Sequence, residues 1–161
     1  MIPTRRHLKY ASGYLALGML AEASDELEAI EGEDRLSPEV LFVRSDLYMK
    51  AKQWDLLLAV SRELVRKSPT HHEGWIGWAY ALRELNRIEE AKAVLLEAEP
   101  IHGEKLALLP YNLACYTCLL GDLTAAKKWL ARACQLDSHL KKAALADEDL
   151  KAMWDDIAAM K

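Results

Sequence analysis

The sequence predicts an all-α protein built as an array of antiparallel helix pairs, and three observations carry that prediction. Apolar residues recur at helical spacing along most of the chain. No stretch alternates with period two for long, so a sheet has no pattern to form on. A turn position held by Gly18, Lys52, Asn86 and Gly121 recurs at intervals of 34, 34 and 35 residues, each time followed two residues later by Leu20, Trp54, Ile88 or Leu123. A period of this size marks stacked two-helix units.

The unit is clearest from Trp75 to Glu97. Trp75, Trp78, Ala79 and Leu82 share one face of a first helix, and Ile88, Ala91, Leu95 and Ala98 share one face of a second. A polar corner at 84–87 joins them, and Ala79 and Ala91 let the backbones approach closely. A two-helix hairpin cannot cover both of its stripes alone, which is why the unit must repeat.

In chain order, residues 1–6 form a lead in which Thr4 is the expected N-cap. The first helix runs to about Leu17, and its partner starts near Leu20 with Leu27 and Ile30 inward. The acidic loop 31–38 follows, and Ser37 with Pro38 is a helix start. The second unit turns at 50–53 and returns through an unusually apolar helix with Leu56, Leu57, Leu58 and Val60. Between the third and fourth units, Pro100 and Gly103 are expected to break the helix, while Pro110 lies in the first turn of the next one. After Asp137, Ser138 caps a short helix, and Asp147 caps a last one whose stripe is Leu150, Met153, Trp154 and Ile157. An array end needs such a cover, and Trp154 is expected to be its plug.

These features resemble the tetratricopeptide repeat family. The first unit matches through Tyr10, Ala11, Tyr14, Gly18, Leu20, Ala23 and Leu27, and the fourth through Leu113, Ala114, Gly121, Leu123, Ala126, Leu130 and Ala133. The third matches through the nine residues from Trp75 to Ala98 that form its two stripes and turn. The second keeps Trp54, Leu64 and Pro69 but departs at Leu57 and Ser61, where the family prefers a small and then a large apolar residue. The resemblance implies one domain over 1–161, a right-handed superhelical array with units at about 4–37, 38–71, 72–106 and 107–140 and capping helices at about 139–160.

Composition sets bounds on function. A net charge of −4 speaks against a nucleic-acid surface, and the basic cluster Lys127, Lys128 and Arg132 reads as a solvated helix face. No apolar run reaches the roughly eighteen residues of a membrane span, and the start is not a convincing secretory signal. Three cysteines, at 115, 118 and 134, imply no complete disulfide framework and point to a reducing cytoplasm. Cys115 and Cys118 form a CxxC inside a helix, away from the strand-to-helix start that activates a thiol, and they lack two further metal ligands. His71, His72 and Glu73 sit in an inter-unit loop and first turn, where polar residues are ordinary. No phosphate loop, nucleophile elbow or dinucleotide motif is present. The expectation is therefore a non-enzyme with no cofactor and no metal.

By resemblance, the first helices of the units line a concave groove that holds a peptide segment or helix of a partner. The lining positions are Leu8, Ser12 and Leu15; Phe42, Asp46 and Met49; Ile76, Tyr80 and Arg83; and Tyr111, Cys115 and Cys118. Tyr80 is expected to be largely exposed. Ser12 and Asp46 stand where one subclass uses Asn to clamp a C-terminal carboxylate, and Asp46 would repel that group. The leading function is an adaptor binding a protein segment. The alternative is a holding chaperone similar to the small acidic tetratricopeptide chaperones of bacterial secretion systems, and self-association is left open.

Overall fold

The computed structural model describes residues 2–160. Among them, ten α-helices and two 3-10 turns follow one another with no strand. The chain divides into two compact units, Met1–Leu85 and Asn86–Lys161. In the first, α1 (Thr4–Ala16) pairs with α2 (Leu20–Glu28), and α3 (Pro38–Lys50) pairs with α4 (Trp54–Lys67). There α5 (His72–Glu84) packs on α4 and α3. In the second, α7 (Leu108–Leu119) packs on α6 (Ile88–His102) and pairs with α8 (Leu123–Leu136). Then come α9 (Leu140–Ala144), a 3-10 turn at Glu148–Met153 and α10 (Trp154–Ala159).

The recurring turn position has a single backbone cause. Gly18, Lys52, Asn86 and Gly121 all adopt positive φ, at 74°, 55°, 59° and 87°. At three of these turns the hydrogen bonds are those of a left-handed helix stop. The amide after the turn residue reaches back five residues, Met19 to Tyr14 at 2.9 Å, Gln53 to Tyr48 at 2.9 Å and Asp122 to Thr117 at 3.2 Å. The turn residue itself donates to the carbonyl three residues back, as Gly121 does to Cys118 at 2.9 Å. The sequence period is thus the period of a chain reversal that satisfies the last carbonyls of the first helix.

Small residues sit fully buried at the matching places of the helix pairs: Ala11 and Ala23 in α1 and α2, Ala114 and Ala126 in α7 and α8. In α3 and α4 the same register holds Ser45 and Leu57, both buried, with the Ser45 hydroxyl donating to the Phe42 carbonyl at 2.7 Å. The first core joins Ala11, Leu15, Ala23, Leu27, Ile30, Val40 and Leu47, and a second joins Leu41, Leu57, Val60, Leu64 and Ala81. The departure at Ser61 has a local reason. Its hydroxyl faces Gly77 of α5, and a Cβ there would lie 2.6 Å away, while a Cβ on Gly74 would meet Val65 at 3.0 Å. The two glycines let α5 lie close on α4, and a larger residue at 61 would hold them apart.

Several local expectations are corrected. Pro3, not Thr4, is the N-cap of α1, and the Thr4 hydroxyl donates instead to Asp34. The acidic loop forms a 3-10 turn, Gly32–Leu36, tied down because Glu28 accepts from Arg35 at 2.6 Å and from Arg44 at 2.8 Å. Pro100 does not break α6. It lies in the last turn, and the helix ends at Gly103. Asp137 rather than Ser138 caps the approach to α9, accepting from the His139 amide at 3.0 Å. Asp147 caps the 3-10 turn by accepting from the Asp149 amide at 3.0 Å. Leu150, Met153 and Ile157 are the fully buried plug. Trp154 is half-buried, its indole N–H shared between the carbonyls of Ala144 and Asp147 at 3.1 Å each, so it fastens the cover rather than filling it.

Candidate interaction face

The helices α1, α3 and α5 lie side by side, because α3 packs on both of the others. Of the groove positions they carry, Phe42 is the open aromatic one, with 42% of its surface exposed. Ser12 is also exposed, Leu8, Asp46, Met49, Ile76, Tyr80 and Arg83 are half-buried, and Leu15 is part of the core. Tyr80 differs from the expectation of an open ring. It meets Trp54 edge-on with centroids 5.8 Å apart, and both rings pack on the second core. Asp46 pairs with Lys50 at 3.5 Å and Arg83 with Glu84 at 3.2 Å, so charge along the middle of this face is locally matched.

At one end the face opens into a depression of about 330 Å³ lined by Leu8, Pro38, Glu39, Phe42, Val43, His71 and Glu73. Two predicted groove residues, Leu8 and Phe42, therefore meet in one hollow. The volume lies at the small end of ligand clefts, roughly 300–1,000 Å³, which is room for large side chains rather than for a folded element. A larger depression, about 740 Å³, lies around Pro3, His7, Ile30 and Asp34, and none of the groove positions lines it. There His7 Nδ1 and Glu26 Oε2 are 2.7 Å apart, a part-buried polar pair linking α1 to α2.

The same positions on α7 are closed. Tyr111, Cys115 and Cys118 are all buried, and the Glu148–Met153 turn packs on α7. The Tyr111 hydroxyl donates to Asp147 Oδ2 at 2.8 Å, and the Cys115 thiol donates to the same oxygen at 3.7 Å. Burial first, and then the hydrogen bond to Asp147, pushes the Tyr111 phenol well above its ordinary value. Burial likewise raises the Cys115 thiol, reinforced by the carboxylates of Asp147 and Asp149, and burial raises Cys118. These are protonated thiols in a packed interior, the opposite of an activated CxxC. The chain's own C-terminal segment covers this side of α7.

Solved structures share this architecture. The structure named MamA MSR-1 C2 superposes with a TM-score of 0.74 at 17% identity, over 86% of this chain and 79% of that one. TTC0263, a thermophilic TPR protein in Thermus thermophilus, superposes with a TM-score of 0.70 at 20% identity, over 98% of this chain and all of the other. The chain has the tetratricopeptide repeat fold. No family model matches the sequence, and no curated protein matches it.

Sequence spacing missed the acidic edge of the hollow. Glu39 and Glu73 occupy one register 34 residues apart, as Leu8 and Phe42 do, so the repeat could have shown them had the second position of each first helix been included. Asp147 carried a different signal, that of a helix cap, and nothing local ties it to Tyr111, 36 residues earlier. The basic cluster on α8 is a solvated face with partners: Lys127 pairs with Asp156 at 2.9 Å, and Arg132 pairs with Glu99 at 2.6 Å while lying over Trp129. Among the described residues no helix is long and apolar enough to cross a membrane.

Proposed function

We propose that this protein is a non-enzymatic interaction scaffold of the cytoplasm that holds a segment of a partner protein on the face of α1, α3 and α5. The observation that supports the reading is the contrast between equivalent positions: Phe42 stands open over an apolar hollow, while Tyr111 on α7 is sealed by the chain's own terminal segment. A large aromatic left open beside Leu8, Pro38 and Val43 is the kind of residue that anchors an interface. Tyr80 and Met49, half-buried, extend the same face, and Leu15 supports it from within.

The test is quantitative capture from native lysate by the wild-type chain beside Leu8→Ala and Phe42→Ala variants of verified fold. The reading expects one partner whose recovery falls at least about fivefold with either variant, the loss of one good anchor being about 1–2 kcal/mol. Partners retained equally by all three proteins would refute it and move the binding surface elsewhere.

A further inference from the structure

We infer that the segment held at Phe42 carries a large apolar side chain next to a lysine or arginine, and that the cation lies between Glu39 and Glu73. The inference rests on the reading of the α1, α3 and α5 face given above. The floor of the hollow is apolar, made by Leu8, Pro38, Phe42 and Val43. Its edge carries two carboxylates, Glu39 and Glu73, beside His71, and no lysine or arginine. Glu39 is exposed and has no ionic partner among the described residues, and Glu73 has only a 3.7 Å approach to His72 Nδ1. Elsewhere on the face Asp46 faces Lys50 and Glu84 faces Arg83, so the unmatched negative charge is concentrated at this end.

That distribution selects among occupants. A segment docking on Phe42 takes water away from the neighbouring carboxylates, and the loss of hydration is offset only if a cation arrives with it. A neutral apolar segment leaves the loss uncompensated. A chain-terminal carboxylate or a phosphate meets repulsion as well. A basic residue adjoining the apolar anchor satisfies both edges of the hollow, with the guanidinium or ammonium reaching one carboxylate or both.

Three short fluorescent peptides, identical except that the apolar anchor is flanked by Lys, Gln or Glu, provide the probe, titrated by anisotropy against the full chain. The Lys peptide is expected to bind about fivefold to tenfold more tightly than the Gln peptide at low salt, the combined reach of two exposed ion pairs. The Glu peptide binds most weakly, and added salt narrows the differences. The Glu39→Gln, Glu73→Gln double variant, exposed enough to fold normally, should erase the Lys preference and keep the Gln-peptide affinity, while Phe42→Ala weakens all three. Binding that depends on Phe42 but shows no charge preference overturns the inference and leaves the face reading standing. Binding indifferent to Phe42 overturns both. Failure of every peptide to bind overturns the inference, with the face reading then judged by the lysate capture. Self-association of the purified chain that Phe42→Ala abolishes would assign the hollow to a second copy and likewise overturn it.

Discussion

Replacing Gly77 by alanine tests the close approach of α4 and α5, and the structure fixes the size of the effect. The new Cβ would stand 2.6 Å from Ser61 Oγ but 3.6 Å from Ser61 Cβ, so the clash belongs to the hydroxyl alone. Ser61 is fully buried, and its Oγ has no hydrogen-bond partner among the described residues. In Gly77→Ala, helix propensity gains about 1 kcal/mol while overpacking costs about 1–3 kcal/mol, a net loss of roughly 0–2 kcal/mol. Ser61→Ala removes a hydroxyl whose unpaired burial costs about 1–3 kcal/mol, so that variant should be no less stable than wild type. In the double variant the clash is gone and the propensity gain remains. The two changes should therefore couple by about 1–3 kcal/mol. Urea denaturation of the four proteins, followed by circular dichroism and compared at constant slope, measures the coupling directly. Additivity within about 0.5 kcal/mol, or a clear loss of stability in Ser61→Ala alone, would refute the close-contact argument.

At the repeated turns, Lys52→Gly should stabilise the chain by about 0.5–1 kcal/mol, because it removes about 1–2 kcal/mol of left-handed strain against a smaller chain-entropy cost. Gly121→Ala should destabilise it by about 1–2 kcal/mol although no atom lies within 4 Å of the added carbon, and melts of both variants check the pair. Deleting residues 146–161 removes Leu150, Met153 and Ile157, each fully buried and each contributing about 1.5–3 kcal/mol, so a markedly lower urea midpoint or aggregation is expected. An unchanged midpoint would show that the cover is dispensable. Tyr111 and Cys115 are held neutral in the fold, whereas in the unfolded chain they ionise near their ordinary values of 10.0 and 9.0. Their contribution is intact below about pH 9 and is lost as pH rises, so the urea midpoint should fall on the alkaline side, less steeply in Tyr111→Phe. On the interaction face, Phe42→Ala should barely change the melting temperature. Tyr80→Ala should cost about 1–3 kcal/mol, because it removes the edge contact with Trp54 and a half-buried ring.

The helix pairs and their turns are legible in the sequence, because both are local. A stripe at helical spacing and a residue able to take positive φ act within one or two turns of chain, and each leaves its mark at a fixed offset from the last. That is why Gly18, Lys52, Asn86 and Gly121, all at positive φ, recur at a regular interval in the sequence. The buried alanines follow from the same register. What covers each stripe is a tertiary matter. Tyr80 and Phe42 occupy neighbouring units on one face, yet Trp54 sets one of them half inside while the other stays open. Tyr111 looked like its counterparts on the earlier helices until Asp147 came to lie against it. The Gly77 and Ser61 pairing, too, depends on how closely two helices lie, and helical periodicity carries no information about that distance. An apolar face read from spacing states that something must cover it, and whether the cover is a neighbouring helix, the chain's own end or another protein is settled by contacts remote in sequence.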